Sequence, residues 1–355
     1  MADKQKKVLI IDDSALMRRV VCDIISTDEA FIVADMAADG VEGIELLSRN
    51  TYDLVVLDLI MPKLDGIGVL KQIKEKELHV NVVVFSSIVS ESGRTTIQAL
   101  ELGALDFIKK PVSLSDAKTE QFIKRFLTIV RNAVQYEEKG SSLSLGLTKA
   151  VQELKPVETS KMVHTDGKAL AIASSTGGPR ALHDLIPRLP KNLGIPVFIV
   201  QHMPAGFTAS LAQRLDELSQ LSVVEAQEGM EVVNNRVYLA RGGYHMEIVQ
   251  NGEKKYIHLS DLPPRESVKP CANYMFESLA KTDYEELICV VLTGMGMDGT
   301  VGIQNLSKEK KVFVIAQNQE SSVVYGMPRC AVNAGITDRV EPIEKIADTI
   351  VSCLD

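Results

Sequence analysis

Short apolar runs alternate with helical patterns from the start of the chain. Val8–Ile11 is a continuous apolar run, and Leu16, Met17, Val20, Val21, Ile24 and Ile25 then recur at helical spacing. Leu54–Leu57, Val80–Phe85 and Phe107–Ile108 are further runs of buried-strand type, with Phe31–Val33 a weaker one. The spacing predicts helices over Gly40–Leu47, Ile67–Lys74 and Thr95–Leu102, and an amphipathic helix around Gln121–Val134. Five such strand-helix units predict a parallel sheet covered by helices on both faces. After Tyr136 the pattern fails: the stretch that contains GSSLSLGLTK and KPVETSKMVHTDGK has few large apolar residues and little periodicity, as an interdomain linker would. At Lys168 a second alternation begins, with strands expected at Ala169–Ala173, Val197–Val200, Val237–Leu239, Ile288–Leu292 and Val312–Ile315 and an antiparallel insertion near Met246–Leu259. The predicted organisation is α/β throughout: a (βα)5 domain over residues 1–135, a linker over 136–167 and a doubly wound domain over 168–355.

Composition narrows the partners. Of 355 residues, 45% are hydrophobic and 24% charged, which excludes disorder as the dominant state. The 39 Lys+Arg against 47 Asp+Glu split at residue 125 into 16 against 20 and 23 against 27, so each part carries −4. Nucleic-acid binding would tilt one part positive, because phosphate neutralisation dominates it. The basic start MADKQKK is followed by an apolar run too short for a signal-peptide core, and no stretch approaches the ~18 apolar residues of a membrane span. A cytoplasmic protein without membrane insertion is expected. Cys22, Cys271, Cys289, Cys330 and Cys353 are scattered, odd in number and lack a C-x-x-C pair, which argues against disulfides or a metal site.

Three carboxylates fall at predicted strand ends: Asp12 and Asp13 after the first strand and Asp58 after the third. In an open α/β sheet ligands bind beyond the carboxyl ends of the strands, so these positions can converge on one pocket. Clustered carboxylates repel unless a cation joins them, and hard oxygen ligands favour Mg²⁺. Ser86 ends the fourth strand and Lys110 the fifth, so a hydroxyl and an ammonium could join the cation in holding a phosphoryl group on Asp58. Each aspartate taken singly is equally an N-cap or a solvated loop residue. Together with the run DLIMPKLDG, Asp58–Gly66, these residues resemble the receiver domain of two-component response regulators over about residues 6–130. The resemblance implies that Asp58 accepts phosphate from a histidine kinase, that Asp12 and Asp13 help bind Mg²⁺, and that Ser86, Phe107 and Lys110 propagate the change.

The second domain opens with ALAIASSTGGP, an apolar strand running into small residues and a helix, the layout of a turn that exposes one nucleophilic hydroxyl. Ser175 sits in a variant of G-x-S-x-G with Ala173 in the first slot; such a turn more often cradles a phosphate or simply starts a helix. A serine needs a neighbouring base. His202, in QHMP at the next strand end, could face Ser175, although a lone histidine is often only packed. Asp298, in TGMGMDG, lies at the same edge and could orient His202 or merely cap its loop. The order Ser175, His202, Asp298 matches no familiar triad order.

STGGP, QHMP and LTGMGMDG, with YLARGGYHM and SSVVYGMPR, resemble the catalytic domain of chemotaxis protein-glutamate methylesterases of the CheB type over residues 168–355. The receiver-linker-esterase order matches too. The family usually has Gly-Ala before the nucleophile where this chain has Ala173-Ser174; spacing to Thr176-Gly177-Gly178 favours Ser175 over Ser174. The resemblance implies hydrolysis of glutamate γ-methyl esters on the cytoplasmic helices of chemoreceptors, releasing methanol, with glutamine deamidation by the same acyl chemistry. Ser175 would attack, His202 would act as base then acid, and Asp298 would orient His202, with backbone N–H groups near Thr176 and Met295 as the oxyanion hole. It implies no cofactor for hydrolysis, a chemotaxis histidine kinase as phosphodonor, a monomer, and a receiver that covers the esterase cleft until Asp58 is phosphorylated. A different acyl hydrolase under receiver control and a non-enzymatic adaptor are the rival readings. The complete Ser175, His202 and Asp298 set argues against the adaptor.

Overall fold

The continuous apolar runs become central strands. The structure, a computed structural model, describes residues 5–87, 90–135 and 167–354. It divides into two compact units, Met1–Glu137 and Glu138–Asp355. The linker expected over residues 136–167 lies, apart from Gly167, outside the described residues.

In the first unit β1 (Lys6–Ile11), β2 (Phe31–Ala37), β3 (Leu54–Leu57), β4 (Asn81–Ser86) and β5 (Asp106–Lys109) form one parallel sheet in the order β2-β1-β3-β4-β5. Val8–Ile11 and Leu54–Leu57 are buried because helices cover both faces, and each such side chain contributes about 1.5–3 kcal/mol through removal from water. The helices start where the chain supplies a cap. Ser14 accepts from Met17 N–H ahead of Ala15–Ile25, Asp39 from Val41 and Glu42 N–H ahead of Gly40–Arg49, and Asp65 from Gly68 N–H ahead of Gly66–Glu75. The strand order reverses between β1 and β3, which opens a crevice at their carboxyl ends.

The second unit has β6 (Lys168–Ser174), β7 (Val197–Gln201), β8 (Ser222–Glu225), β9 (Arg236–Leu239), β12 (Glu286–Val291), β13 (Lys311–Gln317) and β14 (Arg339–Glu341) in one parallel sheet, ordered β14-β13-β12-β6-β7-β9-β8. The expected antiparallel insertion is the hairpin β10 (His245–Asn251) and β11 (Lys254–Ser260). Two strands that the apolar pattern does not predict, β8 and β14, lie at the sheet edges and are partly exposed. The switch point here falls between β6 and β12, with β7 on the other side of β6. No described helix is long and apolar enough to cross a membrane.

Candidate active site and phosphoacceptor pocket

Sheet register brings the ends of β6, β7 and β12 together in the second unit. Ser174 pairs with Gln201 and Ala173 with Val291, so the chain leaves all three strands at one edge. His202 N–H then donates to Ser174 O at 3.0 Å, and Ser175 N–H to Thr293 O at 3.0 Å. Ser175 is half-buried and leads into the helix Gly178–Leu185, whose N-cap Gly177 has φ 77°. The left-handed position is therefore Gly177 and not the serine. This departs from a strained nucleophile turn: the chain changes direction at Ser175 without positive φ at Ser175 itself. Ala173 likewise avoids positive φ, so its extra methyl costs little.

His202 Nε2 lies 2.7 Å from Asp298 Oδ2, and both side chains are at least nine-tenths buried. Burial alone would raise the Asp298 pKa, but the His202 bond and charge, the Cys271 thiol and the Ala272 N–H outweigh it and hold the carboxyl below its ordinary value. Ala272 N–H (2.6 Å) and Asn273 N–H (3.0 Å) belong to the first turn of the helix Ala272–Leu279, whose positive end adds to this. The ring is anchored through Nε2, which leaves Nδ1 for proton transfer. Among the described residues, Ser175 Oγ has no hydrogen-bond partner, so the expected bond to His202 is not formed in this resting geometry, as is common before substrate binds. Thr176 N–H has no partner among the described residues either, and Met295 follows Gly294 on the adjacent loop with its side chain half exposed. A Cβ on Gly294 would meet Met327 Sδ and lie 2.7 Å from Ser175 Cβ, so that loop can approach the serine only with glycine there.

In the first unit Asp12, Asp13 and Asp58 offer carboxylate oxygens within 4.8 Å of one another. Asp12 and Asp58 are buried and Asp13 is exposed. Lys110 Nζ lies 2.8 Å from Asp12 Oδ2 and 2.7 Å from Asp58 Oδ2. The first contact is an ion pair without hydrogen-bond alignment, so the buried Asp12 Oδ2 accepts no hydrogen bond. A buried carboxylate oxygen with spare lone pairs, facing two further carboxylates, is a donor set that fits a hard divalent cation such as Mg²⁺. Burial pushes the Asp58 pKa up against the lowering effect of Lys110. Ser86, buried at the end of β4, accepts from Thr96 Oγ1 at 3.1 Å, and Phe107 is buried in β5. A Cβ on Gly66 would strike the Asp58 carbonyl, so the turn of DLIMPKLDG needs glycine to pack behind the aspartate.

The sequence matches the family described as CheB methylesterase over residues 170–350 and the response regulator receiver domain over residues 8–120. A Syntrophomonas wolfei protein named protein-glutamate methylesterase/protein-glutamine glutaminase 1 is 39% identical over 357 aligned positions, covering 99% of both chains. The chain belongs to the CheB methylesterase family. A Bacillus subtilis member named protein-glutamate methylesterase/protein-glutamine glutaminase is 39% identical over 98% of each chain. The crystal structure titled as the Thermotoga maritima CheB methylesterase catalytic domain superposes with a TM-score of 0.51 at 41% identity, covering 53% of this chain and 99% of that one.

Several residues that the motifs contain but that carry no obvious chemistry turn out to build this CheB site. Gln201 takes the Ser174 hydroxyl on Oε1 at 2.7 Å and donates from Nε2 to Ser175 O at 2.8 Å. Ser174 is thereby buried and committed, whereas Ser175 is half-buried and its hydroxyl has no such partner among the described residues. Thr293 Oγ1 donates to Thr176 O at 2.9 Å and receives Val324 N–H at 2.9 Å, fixing the turn after the serine. The neighbours of Gln201 and Thr293 in QHMP and LTGMGMDG were the only signal for either.

Proposed function

We propose that this chain is a phosphorylation-regulated protein-glutamate methylesterase of chemotaxis, hydrolysing γ-glutamyl methyl esters on the cytoplasmic helices of chemoreceptors. The single observation that carries the reading is the buried His202–Asp298 pair at the strand edge that also bears Ser175. Ser175 Oγ attacks the ester carbonyl while its proton passes to His202 Nδ1. Asp298, ionised by its surroundings, stabilises the imidazolium through Nε2. The tetrahedral oxyanion is received by N–H groups near Thr176 and Met295, each such donor being worth on the order of 10²–10³ in rate. Collapse expels methanol with the proton from His202; water, deprotonated by the same ring, then cleaves the acyl-enzyme and leaves a glutamate carboxylate. A glutamine side chain follows the same path with ammonia as leaving group.

Asp58 takes the phosphoryl group from a phosphohistidine of the chemotaxis kinase. Asp12, Asp13 and Asp58 would hold Mg²⁺, whose chemistry there is to offset the negative charge of carboxylates and phosphoryl oxygens. Lys110 and Ser86 bind the phosphoryl oxygens, and Phe107 and Lys110 carry the change outward. Phosphorylation raises the esterase activity of the second unit.

Methanol release from methylated receptor membranes tests the nucleophile. Ser175→Ala is expected to abolish release while Asp58 remains phosphorylatable by a small phosphodonor; release retained by Ser175→Ala would remove Ser175 from the mechanism.

A further inference from the structure

Asp298 receives more donors than a base-orienting carboxylate needs. Oδ2 takes His202 Nε2 at 2.7 Å and Ala272 N–H at 2.6 Å. Oδ1 takes Asn273 N–H at 3.0 Å, Gly299 N–H at 2.8 Å and the Cys271 thiol at 3.0 Å. A carboxylate has about four lone-pair sites and a thiol is a weak donor, so satisfaction of Asp298 does not explain a fifth bond from sulfur.

Cys271 is held for that contact. It is the N-cap of the helix Ala272–Leu279, yet its side chain makes no capping bond to that helix. Its own N–H donates to His245 Nδ1 at 3.1 Å; His245 Nε2 therefore carries the ring proton and donates to Pro263 O at 3.2 Å. The His245 ring also packs on Tyr274 with centroids 4.4 Å apart. Burial, then the Asp298 charge and bond, push the thiol pKa up against the opposing Asn273 and Tyr274 N–H groups, so the sulfur stays protonated and its hydrogen is available to Asp298. It is fully buried, which keeps it from reacting with solutes.

We propose that Cys271 is a positioning residue of the esterase, whose thiol proton on Asp298 Oδ1 fixes the rotation of the carboxylate so that Oδ2 meets His202 Nε2. The inference rests on the esterase reading above. Glu266 is the other acidic group whose charge reaches Asp298 and His202; it accepts from Asn273 Nδ2 at 2.7 Å, and Arg265 beside it is held by Glu277. Substitution of the sulfur leaves both in place.

Two readouts on the full chain test this. In kinetics, Cys271→Ala is expected to lower kcat about threefold to tenfold with KM unchanged, and Cys271→Ser, which keeps a donor, to return it to within about twofold of wild type. In a Ser175→Ala background, the His202 Nε2–H resonance followed by NMR is expected to move upfield in Cys271→Ala, as its bond to Asp298 Oδ2 loses alignment, and to keep its wild-type position in Cys271→Ser. Equal loss in both substitutions, or a His202 Nε2–H resonance that Cys271→Ala does not move, would overturn the positioning role. The NMR arm needs no turnover, so a wild type that released no methanol would overturn the esterase reading while the resonance still decided on Cys271.

Discussion

At the scale of residues, the site is built around one orientation of an imidazole. Asp298 engages Nε2, whereas in chymotrypsin-like enzymes the carboxylate engages Nδ1 and leaves Nε2 for the serine. Turning the ring over would put a carbon, Cε1, against Asp298, so the anchored end is fixed by chemistry. Asp298→Asn is expected to lower kcat about 10²–10⁴-fold, read as methanol release at saturating receptor, because an amide neither selects the tautomer nor stabilises the imidazolium. The same substitution has a pH signature. The folded-state pKa of Asp298 lies below its ordinary 3.8, so its contribution to stability is present above that value and is lost as pH falls below it. Unfolding midpoints on the two sides of 3.8 should therefore show a weaker acid dependence in Asp298→Asn than in the wild type; an unchanged dependence would contradict the ionised, hydrogen-bonded carboxylate.

Among elements, the strand ends decide which side chains meet. Register alone brings Ser175, His202 and the Thr293–Asp298 loop to one edge, and β1, β3 and Lys110 do the same for the acidic pocket. The loop after β12 closes on the serine only because residue 294 lacks a Cβ. Gly294→Ala should cost about 1–3 kcal/mol of stability through overpacking against Met327 and should displace Ser175, lowering both the melting temperature and kcat. A variant with wild-type values for both would show that the loop has more room than this. Central strands were legible because burial on both faces demands an unbroken apolar run, as in Leu54–Leu57 and Val197–Val200. β8 and β14 were not: SVVE and RVE are short edge strands with one neighbour each and little burial to enforce a pattern. β2 runs on to Ala37, beyond the apolar Phe31–Val33, with alternating exposure along Ile32–Met36 for the same reason. Ser175, His202 and Asp298 stood out because their residue types carry chemistry next to glycine. Gln201, Thr293 and Cys271 did not, because their part is to hold others through bonds that only the folded register creates.

The whole molecule carries a candidate phosphoacceptor pocket in one unit and a candidate esterase site in the other, and the Syntrophomonas wolfei relative matches 99% of the chain. Neither part carries the positive charge that nucleic acid would demand, which fits a protein substrate. The equilibrium to be biased is the one between low and high esterase activity, and phosphate on Asp58 is the only covalent difference the account requires. The most direct measurement is methanol release from methyl-labelled chemoreceptor membranes with and without acetyl phosphate and Mg²⁺, for the wild type and for Asp58→Asn. Release is expected to rise with the phosphodonor in the wild type and to stay at the basal rate in Asp58→Asn. Constant release in the wild type, equal activation in Asp58→Asn, or no release from either protein would contradict it.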